Sequence, residues 1–180
     1  MSKSQLYKLI LYRLMLNILH MIKSLAAAVP LGICCVFITT IFLKKYERKK
    51  ENSVYATKRR AILCLVFYIA VVVQVVILFR PWGTIQEIDI IPFDTYGGIR
   101  YIILYAAANA IAFMPVGILL PMIWEKMNSL KRVFIAGLLG SLLIEVFQLL
   151  LQCGVFQTED LIMNTLGAGI GYWLYKARHK

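Results

Sequence analysis

Six polar side chains are candidates for chemistry in this chain: Asp94, Asn109, Glu145, Gln148, Asp160 and Asn164. Glu145 stands out, because it sits inside the apolar run SLLIEVFQLLLQ, residues 141–152. An acid at the centre of a membrane helix costs roughly 2.5–3.5 kcal/mol on insertion scales, so it should face protein and have a partner. At about 100° per residue, Ser141, Glu145, Gln148 and Gln152 fall within about 60° of one another and form one polar stripe. Glu145 and Asp160 could act as general acid and base if their surroundings separate their pKa values. They could also hold a divalent cation. The rival reading is that these groups hydrogen-bond helices together, as polar residues in membranes often do. No Ser/His/Asp set, P-loop or zinc spacing makes one reaction specific, and we expect no cofactor and no resident metal.

The elements that must position these residues follow from composition. The chain has 180 residues, of which 61% are hydrophobic, and a mean hydropathy of +0.74. A soluble domain of this size cannot bury that apolar load. The apolar residues form continuous runs of about 20, enough to cross a hydrocarbon core. Backbone groups in lipid must pair internally, and continuous runs argue against a barrel, so the spans are helices. The expected fold is an all-α, polytopic membrane bundle of about five helices. Spans are read at 25–43, 61–79, 101–124, 133–152 and 161–175. Residues 5–23 carry Lys8, Arg13, His20 and Lys23 on one half of a helical wheel, which suggests an interfacial helix. Extension of the next span is the alternative. Residues 80–100 and 153–160 are read as a loop and a turn.

Within the spans, Pro115 frees a backbone carbonyl near residue 111 and Gly117 lets another helix approach, which reads either as a structural kink or as a broken helix whose free carbonyls line a polar cavity. Gly167, Ala168 and Gly171 make a small face on the last span, and Gly137 and Ser141 make one on the fourth. These two spans should pack there. Glu159 and Asp160 stand at the start of the last span, where the helix dipole favours acids. The apolar IIPF between Asp89 and Asp94 suggests a segment dipping into the interface.

The net charge of +11 is not evidence for nucleic acid, because Lys and Arg flank membrane spans as orientation signals. They concentrate in 44–60, 125–132 and the tail, which places those segments and the C-terminus in the cytoplasm. The loops 80–100 and 153–160 then face outward. The polar stripe would line a cleft open to the outside. The four cysteines lack metal or disulfide spacing and read as small apolar residues.

The ordered set of IIPF, Asn109-x-x-x-Phe113-x-Pro115-x-Gly117, Ser141-x-x-x-Glu145-x-x-Gln148, Asp160-x-x-x-Asn164-Thr-x-Gly167 and Gly171-Tyr172 resembles the VanZ-like family. The resemblance covers about residues 61–176. It leaves residues 1–60 as an N-terminal segment with the first span and a basic loop, and 177–180 as a basic tail. It implies a bacterial cell-membrane protein with a role in tolerance to glycopeptide antibiotics such as teicoplanin. Many members carry an Arg and a further acid in the turn before the last span. Here those positions are Gly154 and Gln157, so the cation that would pair with Glu159 and Asp160 is missing from the turn. Three functions stay open. The first is an outward-facing cleft acting on a lipid-linked envelope component or the glycopeptide. The second is an enzyme acting on a lipid head group. The third is a structural or partner-binding module. The expected partner in every case is the lipid bilayer, not nucleic acid.

Overall fold

The computed structural model describes residues 3–46, 53–78, 80, 82–83, 85–91 and 99–179. Its first helix, α1 (Lys3–Tyr46), is continuous. At ~1.5 Å per residue it is about 66 Å long, twice the hydrocarbon thickness. Only Ala26–Lys44 within it is apolar enough to cross a membrane. The segment expected in the interface is therefore the leading part of one long helix that continues into the first span.

Helix α2 (Ser53–Val73) returns along α1 and ends in a π-helical turn, Gln74–Leu78. Gln74 ties the pair together. Its Nε2 donates to Ala28 O at 3.0 Å and to Ala70 O at 3.1 Å. This buried amide sits in an otherwise apolar span, and its two carbonyl partners explain how lipid-facing helices tolerate it.

Helix α3 (Ile99–Ile123) runs uninterrupted through Pro115 and Pro121. The break is absent, and the ring is absorbed within a regular helix. After a short 3-10 turn come α4 (Leu130–Leu150) and, beyond it, α5 (Thr158–Arg178). Helices α3 and α5 lie parallel and almost touch backbone to backbone. A Cβ added at Gly167 would stand 2.1 Å from Ala110 O, one at Gly171 2.1 Å from Met114 O, and one at Gly117 1.9 Å from Ala168 O. Gly167 and Gly171 of α5 thus meet α3, while Ala168 and Asn164 meet Gly137 and Ser141 of α4, so the expected packing of the fourth and fifth spans is present beside a closer one with α3. Helix α4 packs on the neighbouring face of α5, where a Cβ on Gly137 would meet Ala168 Cβ.

The segments read as loop and turn contain two short strands, β1 (Ile85–Asp89) and β2 (Cys153–Gln157). They pair in parallel, with Ile85 opposite Cys153 and Asp89 opposite Gln157. The chain reverses after α4 through Leu151 and Gln152, whose φ of 52° lies in the left-handed region. Strand β2 then doubles back along α4. Consequently α5 begins well below the end of α4. Asp160 meets Ser141, about 13 Å down the helix from Leu150 at ~1.5 Å per residue.

Among the described residues, four helical segments are long and apolar enough to span: Ala26–Lys44, Val54–Leu78, Ile102–Ile123 and Leu130–Leu150. Helix α5 is more polar at both ends and is held between α3 and α4. Around it, Val133, Ala168 and Tyr172 form the buried apolar core.

Candidate functional site

The recessed start of α5 creates the site. A helix N-terminus leaves N–H groups without intrahelical partners, and its dipole favours negative charge. Here that terminus opens inside the bundle. Glu145 on α4 reaches it: its Oε2 accepts the Gln157 N–H at 3.1 Å, at the N-cap position of α5. Asp160 lies in the first turn of α5. The Glu145 and Asp160 carboxyls lie within hydrogen-bonding reach of each other.

The surroundings complete this pairing. Asn109 on α3 donates Nδ2 to Asp160 Oδ1 at 2.5 Å. Asn164, one turn further along α5, donates Nδ2 to Ser141 Oγ at 2.8 Å. Its Oδ1 is buried and accepts nothing among the described residues. Gln148 donates to Val76 O at 3.2 Å, within the π turn that ends α2. A π turn displaces a carbonyl from the regular ladder, and π turns are frequent at functional sites. Glu145 is 2% exposed and Gln148 3%.

Of the six candidates, the structure brings Asn109, Glu145, Asp160 and Asn164 into one hydrogen-bonded cluster. Gln148 lies on the same stripe but points to α2. Asp94 lies outside the described residues. Gln152 is exposed in the turn beyond α4 and leaves the stripe. Pro115, Gly117, Gly167 and Gly171 belong to α3 and α5, and the three glycines bring those helices together. Among the described residues, Glu145 is buried with the end of β2 against it rather than lining an open cleft. A crevice between α3 and α5, lined by Ile102, Tyr105, Ala106, Met163, Asn109, Glu159 and Asp160, leads to the cluster and is narrower than a water molecule. Among the described residues, no three acids, histidines or cysteines converge as a cation would require.

One participant was not legible beforehand. Arg80 follows the π turn of α2, and its guanidinium lies against Gly154. A Cβ on Gly154 would stand 2.8 Å from its Nη1. Its charge acts on both Glu145 and Asp160. The cation missing from the turn at Gly154 is therefore supplied from another element, its guanidinium lying where a side chain on Gly154 would begin. The only sequence signal was a basic residue at a span end, which reads equally well as an orientation signal.

A family model described as VanZ/LLP1 matches residues 65–179. The chain belongs to the VanZ/LLP1 family. The matched region holds α3, α4, β2 and α5, and so every member of the carboxyl cluster. With its apolar helices, this makes the chain a multi-pass membrane protein. A stretch of 95 residues is 30% identical to Protein VanZ of Enterococcus faecium, covering 53% of this chain and 56% of that one. The chain thus spans about half the length of the relative it matches. No solved structure matches it.

Proposed function

We propose that this protein lowers susceptibility to a glycopeptide antibiotic such as teicoplanin by engaging a cell-envelope component at the Glu145–Asp160 cluster. The observation that carries this reading is the carboxyl pair held inside a membrane bundle, at the open end of α5. Burying two acids costs several kcal/mol unless their partners offset it. Simple helix adhesion does not require that expense, since amides would serve.

The donor and acceptor inventory favours a particular chemistry. Glu145, Asp160 and the unfilled Asn164 Oδ1 accept hydrogen bonds. They suit a partner rich in N–H and O–H groups, such as the sugar or peptide of a lipid-linked envelope precursor. They do not suit a bare phosphate. The crevice between α3 and α5, closed to water in this structure, marks the line along which these helices must part to admit such a group to Asp160. The excess of Lys and Arg in 44–60, 125–132 and the tail supports an outward-facing site.

The test compares wild type, Asp160→Asn and Asn109→Leu at matched membrane levels in a susceptible bacterium. Wild type should raise the teicoplanin concentration needed to stop growth, and both variants should lose most of that gain. A wild type without effect on susceptibility removes the resistance reading. Full activity in both variants removes the cluster as its seat.

A further inference from the structure

A second cavity lies at the other end of the bundle, where α2 begins and α5 ends. It has a volume of about 690 Å³ and is bounded by α2, α3 and α5. Its floor is apolar, made by Ala61, Ile118, Leu119 and Leu174. Its rim carries Arg60, Arg178 and His179. This is the size of a small-molecule site, and its two chemistries are separated along the membrane normal. The apolar part lies beside residues of two membrane spans. The cations lie at the helix ends, at the level where head groups sit.

The rim is arranged rather than scattered. Arg60 Nε donates to Ala56 O at 3.3 Å and its Nη2 to Thr57 Oγ1 at 3.4 Å, which orients the guanidinium. His179 Nδ1 donates to Tyr175 O at 2.8 Å, and its ring stacks on Tyr175 with centroids 4.4 Å apart. Among the described residues, neither Arg60 nor Arg178 has a carboxylate within ion-pair distance. Two guanidiniums therefore line the mouth of an apolar groove, with no carboxylate paired to either among the described residues.

We infer that this groove binds one anionic phospholipid, its phosphate on Arg60 and Arg178 and an acyl chain along Ala61, Ile118 and Leu174. Charge complementarity selects the head group, since a guanidinium fork matches a phosphate geometrically. The apolar floor selects an amphiphile over a free anion. A bound lipid would bridge α2 to α3 and α5, linking the N-terminal helix pair to the helices that carry the carboxyl cluster.

Native mass spectrometry of the full-length chain in non-ionic detergent tests this, with phosphatidylglycerol and phosphatidylcholine of identical acyl chains as probes. Phosphatidylglycerol should be retained in preference, and Arg60→Gln/Arg178→Gln should cut its retention roughly fivefold for each cation removed. Lys58→Gln/Lys176→Gln removes the same charge away from the groove and should leave retention unchanged. Met122 also lines the groove, and Met122→Trp, which fills it, should weaken both lipids. Equal retention of the two lipids by wild type overturns the proposal. So does an equal loss in the two charge-matched double variants, which would show a general basic surface. Complete displacement of the lipid by inorganic phosphate would assign the rim to free anions. A dimer that forms in place of the lipid adduct would assign the groove to a second copy of the chain. Either outcome also overturns it.

Discussion

At the residue scale, Glu145 has two jobs that separate by substitution. It accepts the Gln157 N–H and lies within hydrogen-bonding reach of Asp160. An amide can do both, since its oxygen accepts and its nitrogen donates. Glu145→Gln should therefore keep the fold, with thermal unfolding in detergent close to wild type. Glu145→Ala leaves the half-buried Gln157 N–H without its acceptor and Asp160 with Asn109 alone, at a cost of about 1–3 kcal/mol for the lost partner. Its unfolding temperature should fall clearly below that of the Gln variant. Coincident unfolding of the two variants would show that the cluster does not hold the α5 terminus. Arg80 gives a second test. Gly154 has an ordinary backbone φ, so it can accept a side chain where space permits. Arg80→Ala should destabilise by about 1–3 kcal/mol, through loss of a charged partner to the acids. Gly154→Arg on that background should restore part of the loss, whereas the same change with Arg80 present crowds two guanidiniums together. A double-mutant cycle on thermal stability measures this coupling. Additive effects would mean that the two positions do not share one cation site.

At the element scale, the α3–α5 contact rests on missing side chains. Gly167, Gly171 and Gly117 each face a backbone carbonyl at a distance no Cβ can occupy. Carbonyl oxygens cannot rotate away like a side chain, so the helices themselves must separate. Gly167→Ala should cost at least the 1–3 kcal/mol typical of overpacking and shift the carboxyl cluster with it. Gly140→Ala is the control: its Cβ would meet only Phe113 at 3.8 Å, and better helix propensity should offset any loss. Detergent thermostability of the two variants checks the contrast, and a stable Gly167→Ala would refute the close crossing. The same contact shows what patterning can reveal. The apolar runs gave the helices, because length and hydropathy are local properties. The 141–145–148 stripe was legible because a helix converts spacing into direction. Which helix met the glycine face was not, since small residues on α3 and α4 offered equal partners. The strands were hidden for a similar reason. IQEID and CGVFQ are short, and each is a strand only because the other lies beside it across a long stretch of sequence.

At the scale of the whole molecule, the open question is which side of the membrane holds the carboxyl cluster. The structure fixes the relative arrangement. The β1–β2 pair and the start of α5 lie at one end, and the lipid-sized groove, the start of α2 and the end of α5 at the other. Charge then sets the direction. Arg60, Lys126, Arg132 and Arg178 share the groove end, and in sequence Arg60 closes the basic stretch 44–60. Membrane insertion keeps such clusters in the cytoplasm. A green fluorescent protein fused after the C-terminus should therefore fluoresce, and alkaline phosphatase at the same point should be inactive in a bacterial host. Phosphatase inserted at exposed Trp82, beside β1, should instead be active. The reverse pattern would turn the cluster toward the cytoplasm, out of reach of an extracellular glycopeptide. It would remove the proposed resistance mechanism while leaving the carboxyl cluster intact as a site for a different, inward-facing partner.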